Sequence, residues 1–189
     1  MRMIKRVLIC ICVVGIPSVG SAQSLVLGVK LGIGGTTYKK QSDGTESESY
    51  FSSKEALSVE FSPYFSKFYI VSGIDFETNS RENHLTIPLC LKVVIGKDFR
   101  FFLEGGGYYS FGLRSKTEEF QIKNDMGIRA GAGIQYKLNR NLILEAAYSG
   151  KFGFTPLMEE EVSLPGNQVK LEKYTINTHQ FELGIKYSF

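Results

Sequence analysis

The chain of 189 residues has no tryptophan, two histidines, three cysteines and five prolines. Beyond residue 22 it also has no apolar run approaching the roughly 20 residues that a membrane-spanning helix needs. Each shortage removes a class of function. His84 and His179 stand far apart in sequence, and the cysteines offer no metal-ligand spacing, so no metal site and no cofactor are expected. Cys10 and Cys12 lie in an N-terminal segment whose removal is expected. Cys90 is then left alone, with no intrachain disulfide. Three of the 22 basic residues lie in the same segment, which leaves 19 basic against 19 acidic. A balanced chain carries no basic surplus to argue for nucleic-acid binding.

The N-terminus does carry a signal. Arg2, Lys5 and Arg6 precede the apolar stretch 7–14 (VLICICVV). Gly15 and Pro17 then break any helix, and Gly20, Ser21 and Ala22 supply small residues for a peptidase. This order is that of a secretory signal peptide over 1–22, with cleavage expected before Gln23. A retained anchor is the competing reading, and the apolar stretch is too short for it. Cys10 and Cys12 sit inside that stretch rather than just after it, against a lipoprotein. Residues 23–189 suit one domain.

Within them the dominant pattern is alternation with period two, the mark of strands whose faces meet different surroundings. Over 125–138 one face reads Met126, Ile128, Ala130, Ala132, Ile134, Tyr136, Leu138; the other reads Asp125, Gly127, Arg129, Gly131, Gly133, Gln135, Lys137. Seven further segments split in the same way, around Leu31, Leu57, Ile70, Leu89, Leu103, Leu144 and Leu183. Their polar faces carry Lys30, Glu60, Asp75, Lys92, Glu104, Arg129, Glu145, Glu182 and Lys186. The links between the eight strands fall at 37–55, 63–67, 78–83, 96–98, 115–124, 139–141 and 150–174. Longer polar links alternate with tight turns, which is the wiring of an outer-membrane barrel. The expected fold is therefore all-β, an eight-stranded antiparallel up-and-down transmembrane β-barrel. Pro88 lies inside the fourth strand, where it cannot donate to the ladder, and is read as a bulge or unpaired site near the outer end.

Eight strands enclose an interior that side chains can fill. The nine ionisable residues are accordingly expected to pair across the lumen and plug it. Aromatic residues fall in two bands, as at membrane interfaces. Phe65, Phe68, Phe99, Phe101, Tyr136, Tyr187 and Phe189 form the periplasmic band, and Phe76, Tyr109, Phe111 and Tyr148 the outer one. The last strand sets Phe181, Leu183, Ile185, Tyr187 and Phe189 against polar residues up to a final phenylalanine. It resembles the C-terminal signal by which the barrel-assembly machinery recognises its substrates, an amphipathic strand able to pair by edge addition.

Residues 84–92 (HLTIPLCLK), followed by the glycine-rich strand 102–108 (FLEGGGY), resemble the L-x-I-P-L-x-L-K strand and its successor in PorT-like small outer-membrane barrels. The resemblance implies fold and location across essentially the whole of 23–189. One member of that family is linked to type IX secretion and gliding, and no residue here carries that role over.

Catalytic chemistry is not expected. His179 has lipid-facing parity and Tyr148 for a neighbour, but the next residue on its face is Phe181 rather than a serine. His84 points inward at the outer rim, where a hydrogen bond is the expected role. Glycines 105–107 open no helix and form no phosphate loop. The acidic run 159–161 reads as solvated loop charge. The leading expectation is a non-enzymatic barrel in the outer membrane, touching its lipid and lipopolysaccharide. Its long loops would meet a surface or secretion-system protein partner, for adhesion, envelope integrity or secretion assembly. A lipid-modifying barrel enzyme is the runner-up. A soluble periplasmic lipocalin-like carrier is the third; it requires Lys92, Glu104 and Arg129 outside, with Ile134 and Leu183 inside.

Overall fold

The computed structural model describes residues 24–40, 47–62, 67–115, 120–122, 124–155, 158–164 and 168–189. The expected signal peptide and cleavage site lie outside these residues. Among the described residues the chain is all strand and turn. Eight strands make the wall: β1 (Ser24–Lys40), β2 (Ser47–Ser62), β3 (Phe68–Asn79), β4 (Glu82–Gly96), β5 (Phe99–Ser115), β7 (Asp125–Lys137), β8 (Leu142–Gly153) and β10 (Gln168–Ser188). Two short strands, β6 (Phe120–Ile122) and β9 (Met158–Leu164), stand outside it. Every neighbouring pair of wall strands is antiparallel. The register Val26↔Ser188 through Lys40↔Tyr174 joins β1 to β10 and closes the barrel.

Alternation decides which side each residue meets, and here it is inverted relative to a soluble domain. The outer surface carries Leu31 at 61% exposure, Leu91 and Leu103 at 67% and Leu183 at 69%. The inside holds 27 buried polar or charged residues against 11 buried apolar ones among the described residues. Lys92, Glu104 and Arg129 are buried while Ile134 and Leu183 are exposed, the reverse of what a lipocalin-like carrier requires. Apart from Phe65, which is not described, both aromatic bands lie on the outer surface. Edge-on ring pairs occur at Phe99–Phe101, Tyr109–Phe111 and Tyr187–Phe189.

The turns follow from local chemistry. At the end of β3 the Asn79 carboxamide oxygen accepts from the backbone N–H of Arg81 (2.8 Å) and Glu82 (3.0 Å). Asn139 does the same for Asn141 (2.9 Å) and Leu142 (2.8 Å) between β7 and β8. Both are side-chain-stabilised turns of the kind asparagine favours. Gly96 takes φ 123°, a left-handed conformation that admits the short β4–β5 turn. Inside the wall, strands approach closely at Gly106, where an added Cβ would lie 2.1 Å from the Leu89 carbonyl oxygen.

Several expected links are shorter than the sequence suggested. The 78–83 link is a turn of only Ser80 and Arg81 between β3 and β4. β1 and β2 reach Lys40 and Ser47, so most of 37–55 is paired strand. Within 150–174, β9 pairs with the first residues of β10, from Gln168↔Leu164 to Tyr174↔Met158. β6 adds to β9 at Phe120↔Glu160 through Ile122↔Met158, giving a three-stranded ribbon beyond the outer end of the wall. Pro88 sits mid-strand and causes no bulge. The β3–β4 register runs unchanged from Ser72↔Leu89 to Asp75↔Thr86 with the residues between left unpaired, and the Ser72 hydroxyl donates to the Pro88 carbonyl (2.9 Å). The bulge of β4 lies instead at Asn83/His84.

Candidate functional site

The inward faces of the eight wall strands converge on a column of ionisable side chains. Toward the β4–β5 and β7–β8 turns, Glu145 on β8 accepts from Lys92 (2.6 Å), from Gln135 (2.7 Å) and from Lys186, and lies 2.9 Å from Lys30. Glu60 on β2 accepts from the same Lys92 (3.0 Å) and Lys186. Higher up, Arg129 on β7 donates to Asp75 (2.6 Å) and Glu182 (3.3 Å) and lies 3.3 Å from Glu104. Glu182 also accepts from Lys54 and from the Ser149 hydroxyl. Lys30 stands between the two groups, 3.8 Å from Glu182. All nine inward ionisable residues singled out in the sequence are thus buried, each within ion-pair distance of another.

Charge of both signs in one buried interior has a physical requirement: every buried ion needs a counter-ion and hydrogen bonds, or its desolvation goes uncompensated. The structure meets it mostly by sharing. Each of Glu145, Glu60 and Glu182 faces at least two cations. Among the described residues, each buried lysine or arginine but Arg100 faces a carboxylate. Arg100, near the start of β5, is buried with its Nε and Nη2 unpartnered.

Above the column, Lys151 donates to Glu77 (2.5 Å), and the Tyr108 hydroxyl donates to Asp125 (2.6 Å). At the end of the barrel where β3 turns into β4, Tyr38 donates to Glu82 (2.5 Å), and His84 Nε2 stands 2.7 Å from the same carboxylate. The Arg81 guanidinium lies 4.5 Å from the Tyr50 ring centroid and 5.6 Å from that of Tyr38, and pairs with Glu48 at 2.5 Å. The β3–β4 turn is thereby fastened to the β1–β2 hairpin. At the opposite end Val26, Tyr69, Val71, Cys90, Val94 and Phe102 form an apolar cluster, with the Lys92 ammonium 3.8 Å from the Phe102 ring centroid. Two interior cavities measure about 20 and 10 Å³. Either is of the order of a single water.

Lys54, Glu77, Glu82, Arg100, Asp125 and Lys151 belong to this interior but were not singled out from the sequence. Asp125 stood on the polar face already. Lys54 and Glu77 share the parity of Glu60 and Asp75, so extending the alternation past the apolar core would have found them. On the outer surface, Phe181, Leu183, Ile185, Tyr187 and Phe189 are exposed along the last strand and its end. His179 pairs in register with Gly150, its ring 6.1 Å from Tyr148 and 5.6 Å from Phe152. The side chains of the acidic run 159–161 lie outside the described residues.

No family model matches the chain, and no curated protein does. Among solved structures it is similar to the outer membrane protein OprG from Pseudomonas aeruginosa, at TM-score 0.57 and 14% identity, covering 89% of this chain and 96% of that one. It is similar to Neisserial surface protein A at TM-score 0.57 and 12% identity, covering 86% and 97%. It is also similar to the N-terminal β-barrel domain of Pseudomonas aeruginosa OprF at TM-score 0.54 and 12% identity, covering 85% and 97%. Identities this low speak for the fold alone, and the fold is a closed eight-stranded antiparallel barrel of the architecture these proteins share.

Proposed function

We propose that the protein is a non-enzymatic outer-membrane barrel whose lumen is sealed and whose contacts are made at its outer rim. The observation that carries this is the inversion of the wall. A continuous apolar exterior is costly in water and favourable in hydrocarbon, and a charged interior is stable only where the charges pair away from lipid. The column is what supports the sealed reading. Ion pairs cross the interior at several heights, and the apolar cluster packs below them. The rim carries the β6–β9–β10 ribbon, which extends strand pairing beyond the wall and offers a surface to a protein partner or to lipopolysaccharide. Adhesion, envelope integrity and secretion assembly are the roles such a surface serves. The 84–92 strand keeps a PorT-like relationship as the preferred reading of its ancestry.

Reconstitution into planar lipid bilayers tests the sealing. Insertion without conductance steps is the expected result; steady ohmic steps would overturn it.

A further inference from the structure

The outer surface is not uniformly filled. Along five neighbouring strands, β5, β7, β8, β10 and β1, an apolar furrow of about 520 Å³ is lined by Phe99, Ile134, Tyr136, Leu144, Leu183 and Val29, among others. The register explains it. Phe99, Tyr136, Leu144, Ile185 and Val29 form one row across the strands, and Phe101, Ile134, Ala146, Leu183 and Leu31 the next. Ala146 is the one small residue among these ten, and Gly184 lies beside it in the furrow wall. Bulky neighbours on both sides and an alanine between them leave a trough.

The trough lies on the part of the wall nearest the periplasmic turns, and basic residues border that end. Arg140 lies exposed in the β7–β8 turn between the strands that carry Tyr136 and Leu144, and Lys97 lies exposed in the β4–β5 turn two residues before Phe99. Lys137, half-buried, ends β7 beside them, its backbone N–H donating to the Asp98 carbonyl (2.9 Å). Asp98 is the single acidic side chain in these two turns, so the local charge is net positive.

We propose that this furrow is a binding site for an anionic glycerophospholipid of the periplasmic leaflet, with one acyl chain in the trough and the phosphate against Arg140 and Lys97. Hydrocarbon complementarity and phosphate charge are both met at one end of one face. The proposal rests on the membrane reading given above. Each basic residue near an anionic headgroup contributes on the order of a fivefold preference.

The chain has no native tryptophan, so a single introduced indole reports without background. Tyr136→Trp puts that fluorophore in the furrow. Phe61→Trp puts it on β2, diametrically opposite β7 in the strand order and likewise second from the periplasmic end of its strand. Both proteins are reconstituted into phosphatidylcholine vesicles containing acyl-brominated phosphatidylglycerol, or brominated phosphatidylcholine as comparison. The furrow indole is expected to be quenched at several-fold lower brominated phosphatidylglycerol than the β2 indole requires. That difference should be lost when Arg140→Gln and Lys97→Gln are added. Equal quenching at both positions, or a difference that survives the added substitutions, would overturn the site. Absence of quenching at both positions would instead overturn the membrane reading, and the site with it.

Discussion

Replacing Arg129 by methionine isolates what the charged column requires. Arg129 is 5% exposed and faces three carboxylates: Asp75 at 2.6 Å, Glu182 at 3.3 Å and Glu104 at 3.3 Å. In Arg129→Met, Asp75 retains Lys54 at 3.5 Å, and Glu182 retains Lys54 and Lys30. Glu104 has no other cation within ion-pair distance among the described residues. The substitution therefore strands one buried carboxylate, and removing one member of a buried pair costs about 3–5 kcal/mol. Methionine is apolar and covers much of the same length, so little of that loss is packing. Glu104→Gln alone removes a charge while leaving Arg129 two partners, and is expected to cost about 1 kcal/mol. Combining the two removes the stranded charge, so the double variant should be more stable than Arg129→Met, with a coupling of about 1–3 kcal/mol. Urea unfolding in vesicles, followed by gel mobility of unboiled samples, measures all four proteins. An Arg129→Met cost below about 1 kcal/mol, or strict additivity, would refute the account of a paired interior.

Three further outcomes follow from the wall. Leu183→Arg, in the middle of the apolar belt, should destabilise by about 2–4 kcal/mol, whereas Phe68→Arg at the rim should cost at most about 1 kcal/mol; vesicle unfolding compares them. Gly106→Ala places a Cβ 2.1 Å from the Leu89 carbonyl oxygen, while at Gly105 the nearest atom would be 4.0 Å away. The first should abolish most of the folded gel band, and Gly105→Ala should leave it intact. Cys90 is 3% exposed within the wall, so a maleimide should label it only after unfolding, with native labelling expected at under roughly a tenth of the unfolded extent within the same time.

How far the sequence alone reaches can be seen strand by strand. Parity alone separates Lys92 from Leu91 and Glu182 from Leu183, because the inner and outer faces of the wall impose opposite demands on alternate residues. The signal fades toward the far ends of the wall strands, where polar residues stand at both parities and 47–53 and 168–174 read as polar loop. Turn lengths were obscured for a related reason. Asn79 closes a two-residue turn through its own carboxamide, which a run of polar residues does not distinguish from a longer loop. Partner choice within the column was not legible either. Which lysine meets Glu145 depends on the stagger of strands around the closed wall, and residues as distant as Lys30 and Lys186 reach it together. The furrow is likewise a property of neighbouring rows, since Ala146 has no special meaning until its register partners Ile134 and Leu183 are known.

On the proposed reading this barrel wears its apolar face outward because it lives in a membrane. Fractionation of cells expressing the protein, with unboiled and boiled samples compared on a detergent gel, tests it most directly. Recovery in the outer-membrane fraction with a heat-dependent mobility shift is the expected result. Recovery in the soluble periplasmic fraction without detergent, and with no shift, would contradict it.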